Sequence, residues 1–515
     1  MNWLDRAILA VAPTWGANRV FARMAATRAF DIAKKARGGS SSRPASGPNA
    51  EIAGTAGRGR NAARDFYRNN PYANAMIKKR AAKLVGTGIT PLLPSGDALS
   101  KTARAKLIKL WKLFVDQSDP EGRHDFYGQQ LLAAKTWLTD GECLIRILRR
   151  NTEDAKLLKL VIPFQLRVME IDYLDHQKTE QLAGGNVVIM GIEYDRLGQR
   201  VGYWLFDQHP GELGPLNKIA STLKSSRVPA SEIIHLFDRE RPDQVRGMTS
   251  LAPVAMKLQD VEEYDEAALV GRKAAACHVA VFETPAAVAK PFAAAPAETA
   301  EKGADGPTKR LRPATILNTT PGQKVVFNSP PQDDTYPDYM RVHLRAIANG
   351  GGVMYEHLTG DLSDLNFSSI KAGMNDFHDQ LDVDQHHILA WQLCRPVYVL
   401  FLEYCLVQEL VSIPASKLPV IPRWMMPRRR MADPTKEIPS NIEGLRSGQM
   451  FLPDIWAEQG EDVEERLDAM EAFNKALDQR KIVLDSDPRV EAKAAKAAAK
   501  KAAEPAATTE GKTDT

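Results

Sequence analysis

The segment from Tyr336 to Cys405 constrains the fold more than any other part of the chain, because two helical patterns meet there across a short loop. In the second pattern, apolar side chains recur at steps of three, four and seven, which places them on one face of a helix. They are Ile370, Met374, Phe377, Leu381, Ile388 and Trp391. The sequence therefore predicts a long amphipathic helix whose apolar face is buried.

The loop between the two patterns carries its own signals. Gly360 can stop the first helix, and a side-chain oxygen of Asn366 or Ser368 can cap the start of the second. Apolar and polar side chains alternate between these positions, so the loop has an apolar tip. Three consecutive glycines, residues 350–352, interrupt the first pattern. Such a run usually marks a helix break or a close backbone contact.

Helix and strand signals organise the chain upstream of this segment. Asn70 can cap a helix over 71–85, and further helices are predicted over 101–116 and 126–139. Between residues 142 and 238 the pattern changes to short segments rich in β-branched and aromatic residues, separated by turn signals. This part of the sequence predicts an α+β domain.

Four stretches of the chain, spanning roughly residues 64–462 in the same order, resemble the portal proteins of the lambda-like bacteriophages. They are RNNPYANAMIKKRAAKLVGTGITP, IIHLFDRERPDQVRGMTSLAPV, GGGVMYEHLTGDLSDLNFSSIKAG and RWMMPRRRMADPTKE. The resemblance implies an α+β portal-like subunit with an α+β wing, long stem helices, a small clip insertion and a helical C-terminal crown.

The resemblance and the composition together give a domain plan. Its parts are a flexible basic arm (1–60), a wing of helices followed by a β-rich part (61–249), a first stem helix (250–277), a clip with an Ala- and Pro-rich insertion (278–335), a second stem helix (336–358), a tunnel loop (359–368), a long wing helix with a return to the wing (369–433), a crown (434–481) and a low-complexity tail (482–515). The tunnel-loop residues are Gly360, Asp361, Leu362, Ser363, Asp364, Leu365, Asn366 and Phe367.

The resemblance also implies a function. A portal protein forms a ring, in this family a dodecamer, at one capsid vertex, where double-stranded DNA enters during packaging and leaves during ejection. The implied partners are further copies of the chain, DNA, the terminase large subunit, the major capsid protein or scaffold, and head–tail adaptor proteins. The implied location is the virion, after assembly in the host cytoplasm. No enzymatic activity and no cofactor are implied.

The predicted first stem helix has two distinct faces. One stripe at steps of three and four predicts a helix–helix seam, formed by Val254, Leu258, Val261, Tyr264, Ala268, Gly271 and Ala275. Five acids lie off that stripe with no base among them: Asp260, Glu262, Glu263, Asp265 and Glu266. A solvated face is the ordinary interpretation of such a run. In a ring, however, an inward acidic face would be repeated around the channel, so these residues are candidate channel-lining groups.

Basic residues concentrate in two places. The first 80 residues hold 15 Lys or Arg and 4 Asp or Glu, although the net charge of the whole chain is only +4. An arm that contacts nucleic acid or a neighbouring subunit and a disordered terminus both fit this composition. The second place combines an aromatic residue with arginines that can contact DNA phosphates or a subunit interface. Its residues are Arg423, Trp424, Arg428, Arg429 and Arg430.

The sequence offers little support for catalysis. It contains no GxxxxGK[ST], GxSxG or HExxH motif, and its four cysteines have no CxxC spacing. The best metal candidates, His378, Asp382 and His386 beside Asp379 and His387, could serve a metal-dependent nuclease, which is the alternative function. A wet helix face opposite the buried one is the interpretation that this pattern favours. The same holds for a turn at Asp172, Asp175 and His176, and His235 is typical of a hydrogen-bonded core histidine.

No apolar run approaches the roughly 18 to 20 residues that span a bilayer, so no membrane partner is predicted.

Overall fold

The computed structural model describes residues 46–94, 99–212, 224–276, 280–282, 316–318, 336–363, 367–429, 434–458, 463–482 and 484. The described chain forms two compact units. The first contains residues up to 89 and residues 106–412, and the second contains residues 90–105 and the chain from 413 onward.

The described residues contain thirteen α-helices. They are α1 (Pro48–Asn69), α2 (Pro71–Val85), α3 (Lys101–Gln117), α4 (Phe126–Asp140), α5 (Thr152–Leu157), α6 (Ala255–Ala276), α7 (Tyr336–Gly350), α8 (Tyr355–Thr359), α9 (Phe367–Val383), α10 (Arg395–Val407), α11 (Pro434–Ser447), α12 (Leu452–Glu458) and α13 (Val463–Arg480). A π-helical segment, Asp384–Cys394, joins α9 to α10. Short 3₁₀ turns occur at Ile171–Tyr173, Ala230–Glu232 and Ala415–Lys417.

Twelve strands lie in the same described ranges. They are β1 (Thr90–Leu92), β2 (Glu142–Arg149), β3 (Phe164–Met169), β4 (Glu180–Gln181), β5 (Val187–Ile189), β6 (Ile192–Tyr194), β7 (Arg200–Phe206), β8 (Ser225–Pro229), β9 (Ile233–Phe237), β10 (Ala280–Phe282), β11 (Ile316–Asn318) and β12 (Arg423–Met425). The mixture of helix and sheet confirms the predicted α+β class.

Two antiparallel sheets organise the first unit. In the first, β2 is central and pairs with β3 on one side and β9 on the other. The second is a five-stranded sheet in the order β4-β5-β6-β7-β8. A buried cluster that includes Leu144, Ile192 and Tyr203 packs side chains of both sheets together. The predicted strands between residues 142 and 238 are therefore confirmed.

The predicted helix over 71–85 is confirmed together with its cap. The side-chain oxygen of Asn70 accepts hydrogen bonds from the backbone N–H groups of Tyr72 (3.0 Å) and Ala73 (3.1 Å), and Pro71 occupies the first turn. α2 buries Met76, Ile77 and Leu84. The predicted helices near 101–116 and 126–139 also form, as α3 and α4.

The prediction that a flexible arm extends to residue 60 is wrong for residues 48–60, which belong to α1. Asn49 fixes the start of this helix, because its side chain donates to the Asp243 carbonyl (2.9 Å) and accepts from the Val245 N–H (3.0 Å). Ile52 and Ala63 are buried. The basic composition suggested disorder because the partners of α1 lie far away in the sequence, from Asp140 to Val245. Residues 1–45 lie outside the described part of the chain.

The predicted first stem helix starts later than expected. Residues 251–254 form turns, and α6 begins at Ala255 rather than at residue 250. Val254, Leu258 and Val261 are buried, as the predicted seam requires, and Tyr264 packs against Tyr339 with the ring centroids 4.3 Å apart. The seam is therefore confirmed up to residue 264. Ala268 and Gly271 are half-buried, and the side chain of Ala275 lies outside the described residues.

The predicted second stem helix over 336–358 is two helices, α7 and α8. The glycine run separates them, and it shows both predicted effects, a helix break and a close backbone contact. Gly352 has φ +66°, which breaks the helix. A Cβ on Gly351 would lie 2.3 Å from the Met76 side chain, and one on Gly350 would lie 2.7 Å from the Val254 side chain, so a larger residue at either position would force its neighbour to shift.

The long amphipathic helix forms, but its exposed and buried faces shift within the π-helical segment. Phe377, Leu381 and Ile388 are buried as predicted, whereas Trp391 is 61% exposed. The wider π-helical turn rotates later residues out of the α-helical phase, so the prediction for Trp391 is wrong. Buried polar side chains fix this segment to its neighbours: Asp384 accepts from Arg80 (2.7 Å), and Gln385 donates to the Leu84 carbonyl (2.8 Å).

In the second unit, β1 and β12 form a two-stranded antiparallel sheet, and α11, α12 and α13 are the helices expected for residues 434–481. These helices bury few side chains. α13 buries Leu477 but leaves Leu467, Met470 and Phe473 largely exposed on the same face. Within the first unit, β10 and β11 pair in parallel. Most of the predicted Ala- and Pro-rich clip insertion and nearly all of the tail over 482–515 lie outside the described residues.

Candidate channel and contact residues

The described part of the predicted tunnel loop presents an apolar tip. Gly360 ends α8 with φ +76°, and its N–H donates to the Glu356 carbonyl (2.9 Å), as the sequence predicted. The Asp361 carboxylate accepts from the Ser363 hydroxyl (2.6 Å) and N–H (3.0 Å), and these hydrogen bonds lower the pKa of Asp361. Leu362 is 68% exposed. In the single chain, the apolar side chain of Leu362 is therefore exposed to solvent instead of packing in the core.

The rest of this loop is only partly described. Asp364, Leu365 and Asn366 lie outside the described residues, so the proposed Asn366 cap does too. Ser368 is not the cap, because α9 already begins at Phe367.

The five acids of α6 lie off the buried seam, and Glu262, Glu263 and Asp265 accept hydrogen bonds from other side chains of the chain. Glu262 accepts a hydrogen bond from the Asn70 side chain (3.3 Å), and Asp265 accepts one from the Tyr336 hydroxyl. The contact with Asp265 raises the pKa of Tyr336 to about 12. Glu263 bonds only to Gln259 on its own helix, at 2.8 Å. Glu262, Glu263, Asp265 and Glu266 are exposed, and Asp260 is half-buried.

The arginine cluster lies in the second unit. Arg423 and Trp424 are in β12, where Arg423 is paired with Leu92 and Trp424 with Pro91. Arg423 also approaches Asp454, at 3.9 Å, with both side chains mostly exposed. Arg428 and Arg429 are exposed, and Arg430 lies outside the described residues. The structure thus places the described arginines at the surface, where phosphate or protein contact is sterically open.

The candidate metal ligands of α9 and the π-helical segment do not converge. Among the described residues, three potential ligand side chains converge within 4.8 Å at one place, Glu170, Asp172 and His209, rather than at His378, Asp382 and His386. The π-helical segment begins at Asp384, so it changes the phase between Asp382 and His386. Asp175 and His176 are likewise absent from the converging group.

The group of Glu170, Asp172 and His209 already holds a cation from the protein. The Arg64 guanidinium lies 3.1 Å from Glu170 and 2.6 Å from Asp172, and it also makes two hydrogen bonds to Asp140. His209 is 3.1 Å from Glu170. These acids therefore anchor α1 to the end of α4 and to the segment after β3, and a metal ion is not needed to neutralise them.

A buried ion network lies beside this anchor, at the start of β2. Glu142 is completely buried, and the Arg246 guanidinium makes hydrogen bonds of 2.7 to 3.0 Å to both of its carboxylate oxygens. His235 Nε2 lies 3.0 Å from Oε2, the Gly247 N–H donates to the same oxygen (3.2 Å), and Arg60 is 3.8 Å from Oε1. The network joins α1, β2, β9 and the loop after β9.

The protonation states of this network follow from its surroundings. Burial raises the pKa of Glu142, but the charge and hydrogen bonds of Arg246 and the hydrogen bond of His235 outweigh it, so the pKa lies well below its usual range. Burial lowers the pKa of His235, and the opposing effect of Glu142 is smaller. Glu142 is therefore ionised and His235 is neutral at neutral pH.

His235 is a hydrogen-bonded core histidine, as the sequence predicted, but Glu142, Arg60 and Arg246 were not predicted as members of its network. Two sequence signals pointed to them. Arg246 and His235 both lie in IIHLFDRERPDQVRGMTSLAPV, a stretch singled out for its family resemblance. A charged residue directly before the apolar strand at 143–145 was the second signal.

None of the helices in the described residues is long and apolar enough to cross a membrane.

Comparisons with known proteins agree with the sequence resemblance. A probable portal protein of Halomonas phage phiHAP-1 is 28% identical over 347 residues, which cover 67% of this chain and 64% of the relative. The portal protein of Escherichia phage N15 is 23% identical over 301 residues, which cover 53% and 56%. This chain thus spans somewhat less than two thirds of the length of each relative.

A solved chain from the neck of a native gene transfer agent particle, computed with C12 symmetry, shares 13% identity and a TM-score of 0.41, with 81% of this chain and 95% of that chain covered. A TM-score this low does not bear on the assignment, which rests on the sequence. A model of the phage portal proteins of the lambda family matches residues 34–385, about two thirds of the chain. The chain belongs to the lambda family of phage portal proteins.

Proposed function

We propose that the chain is the subunit of a portal ring at one vertex of a virus-like capsid, through which double-stranded DNA enters during packaging and leaves during ejection. The family match over residues 34–385 carries this proposal, because it includes α6, α7, the tunnel loop and the wing sheets in one alignment. The family is structural rather than enzymatic. The proposed location is accordingly the virion, after assembly in the host cytoplasm.

The faces of α6 and the loop fit a channel physically. One side of α6 is used for packing, and the acids on the other are exposed. Repeated around a ring, Glu262, Glu263 and Glu266 would form a collar of negative charge. Such a collar repels the phosphates over about a Debye length, roughly 8 to 10 Å in physiological salt, so the duplex slides rather than sticks.

The tunnel loop supplies the second channel element. Leu362 is exposed at the tip, within the short hydrogen-bonded turn at Asp361–Ser363 that precedes α9. A polar base with an apolar tip suits a loop that approaches DNA without binding its charges. The terminase large subunit, the capsid protein or scaffold and the head–tail adaptors are the proposed docking partners, with the segment over 278–335 as the proposed terminase- and adaptor-facing surface.

The mass of the purified protein tests the ring. Twelve copies of the 56.9 kDa chain would weigh about 680 kDa in a closed cyclic assembly. Light scattering with negative-stain imaging at micromolar concentration should show that particle. A stable monomer or dimer under these conditions would contradict the proposal.

Deleting Leu362–Leu365 tests the channel rather than the ring. The deletion removes an exposed loop tip and leaves the seam of α6 intact, so rings should still form while packaging or retention of DNA falls. A chain that no longer folds would show instead that the loop is a buried connection.

A further inference from the structure

The helix α13 in the second unit presents an apolar face that the described residues leave largely uncovered. Leu467, Met470 and Phe473 lie on the same face as the buried Leu477, and their side chains are 48%, 45% and 57% exposed. The neighbouring helices supply little core, because none of the described α11 side chains is buried and α12 buries Ile455. Since a helix of a folded protein normally packs its apolar face against another element, a further segment is needed to cover this one.

The end of α13 bends the chain away from the helix axis. Lys481 has φ +54°, in the left-handed region. Its N–H donates to the Asp478 carbonyl (3.2 Å), and the Ile482 N–H donates to the Leu477 carbonyl (3.1 Å). These two hydrogen bonds form a Schellman motif, which ends a helix and changes the direction of the chain. The chain after residue 482 therefore does not extend α13 and is free to return along its side.

The sequence that follows predicts one more helix, over residues 488–504. Asp487 can cap its start, Pro488 is tolerated in the first turn, and Pro505 ends it. Eight of these 17 residues are alanine, the strongest helix former. A helix of this length is marginally stable in water by itself, so it gains stability from a surface to pack on.

The lengths of the two segments fit an antiparallel pair. α13 has 18 residues and the predicted helix has 17, so at 1.5 Å per residue each is about 26 Å long. The connection over residues 481–487 has seven residues, within the range of about 2 to 8 that joins helices in bundles. Short connections of this kind join antiparallel neighbours. The predicted helix can therefore reach along the whole apolar face of α13.

The two segments are also complementary in charge and in side-chain size. α13 carries five acids and three bases, whereas residues 488–504 carry five bases and two acids. Among the α13 acids, Asp468 and Glu471 are exposed beside the apolar face. Small side chains on one helix let it approach the large side chains of another closely. The predicted helix has such a stripe at steps of three and four, formed by Ala492, Ala495, Ala499 and Ala502, and its flanking bases are Lys493, Lys496 and Lys500.

We propose that residues 488–504 form a helix that packs antiparallel on the apolar face of α13 in the same chain. The alanine stripe covers Leu467, Met470 and Phe473, and the lysines lie beside the acids of α13. A second copy of α13 suits this face poorly, because two acidic helices would bring like charges together. The contact supplies the second unit with core that its described helices lack. It lies within one chain and does not depend on the proposed ring.

Photo-cross-linking of the full-length protein tests this proposal. Phe473 is replaced by benzoylphenylalanine, another aromatic residue at an exposed position, and the purified protein is irradiated. We expect a product with the 56.9 kDa mass of one chain, in which residue 473 is linked to a peptide from 488–504. A product of about twice that mass would assign the face to a second copy and overturn the proposal. The absence of a product, or a link to any other part of the chain, would also overturn it.

The matched position for the cross-linker is Leu157, an apolar residue of the first unit that is 81% exposed. Benzoylphenylalanine at this position should give no link to residues 488–504. Equal yields of such links from the two positions would show that the tail contacts the surface without preference, and would overturn the proposal.

Proline substitutions test whether the tail acts as a helix. Ala495→Pro with Ala499→Pro should lower the yield of the Phe473 cross-link by about tenfold or more, because proline breaks a helix interior. Ala507→Pro, beyond Pro505, should leave the yield unchanged. In the chain with Phe473 intact, the same double substitution should speed hydrogen exchange of the α13 amides by about tenfold, since α13 loses its cover. Equal cross-linking and exchange in the two proline variants would overturn the proposal.

Discussion

The charges around Glu142 and the charges on α6 differ in what holds them. Glu142 is fully buried and is surrounded by Arg246, His235 and a backbone N–H within hydrogen-bond distance. Four of the five α6 acids are exposed to solvent. A charge removed from water needs partners in the same fold, whereas a hydrated charge needs none. The first region therefore explains how the subunit holds together, and the second is free to act on something outside it.

Removing the buried carboxylate should have the largest effect. Glu142→Ala leaves Arg246 and the nearby Arg60 buried without their compensating anion. We expect a loss of about 3 to 5 kcal/mol in the free energy of unfolding, measured by urea denaturation at fixed protein concentration.

The control for this change is Glu263→Ala, which removes an exposed carboxylate that accepts a hydrogen bond from Gln259 on the same helix. It should cost about 0.5 kcal/mol or less. Similar losses for the two variants would mean that burial does not separate the two regions as described.

Reversing the exposed charges of α6 should not change the stability of the chain but should raise its affinity for DNA. Glu262→Lys, Glu263→Lys and Glu266→Lys together turn the proposed repelling collar into a binding surface. The ring should remain, its DNA affinity should rise by about tenfold or more at low salt, and packaging should slow. The logarithm of the affinity should also fall more steeply with the logarithm of salt concentration, since new phosphate contacts release counterions.

Three exposed acids elsewhere provide the matched control: Glu121, Glu153 and Glu180, each changed to Lys. This variant has the same net charge as the α6 variant. If both bind DNA equally well, net charge rather than the position of α6 explains the affinity. If the α6 variant assembles and neither affinity nor packaging changes, those acids face away from the channel.

The buried network also predicts a pH dependence of stability. The pKa of His235 is lower in the folded chain than its ordinary value of 6.5, so the unfolded chain binds the extra proton first. Stability is therefore present above that ordinary value and is lost as the pH falls below it. Between pH 7.5 and 5.5 we expect His235 to contribute a loss of about 1 kcal/mol.

His235→Gln tests this contribution through the change of the free energy of unfolding with pH, rather than through the free energy at one pH. The variant is expected to be less stable at both pH values but to lose less on acidification than the wild type. If the variant and the wild type lose the same free energy of unfolding between pH 7.5 and 5.5, other titrating groups, such as His176 and His357, cause the pH dependence.

The sequence predicted the structure correctly where local signals and long-range packing agree. The cap at Asn70, the stop at Gly360 and the buried seam of α6 all depend on residues within one or two helical turns of each other. The α+β class followed from strand and helix patterns of the same local kind. The glycine run at 350–352 was also informative, because a break and a close contact both require residues without a Cβ.

The sequence did not predict the structure where a residue's partner is distant in the chain or where the helical periodicity changes. α1 appeared to be a disordered basic arm because Arg60 and Arg64 find their acids at residues 140–172. Trp391 appeared to be buried because its assignment assumed α-helical periodicity through a π-helical segment. The same change of phase separates the candidate metal ligands Asp382 and His386. A pattern fixes one helix face only as long as the helix keeps one geometry.

The smallest effect is expected from the residues that the alternative function would need most. His378→Ala, Asp382→Ala and His386→Ala change a partly exposed helix surface whose ligand atoms do not converge, so the free energy of unfolding should change by about 1 kcal/mol or less. Assembly and packaging should remain near wild type. Two measurements address the nuclease directly: magnesium- or zinc-dependent cleavage of plasmid DNA, and metal content of the purified protein. If the wild type cleaves DNA or binds metal and the triple variant does not, these residues form a functional metal site rather than a hydrated helix surface. That result would support the nuclease hypothesis.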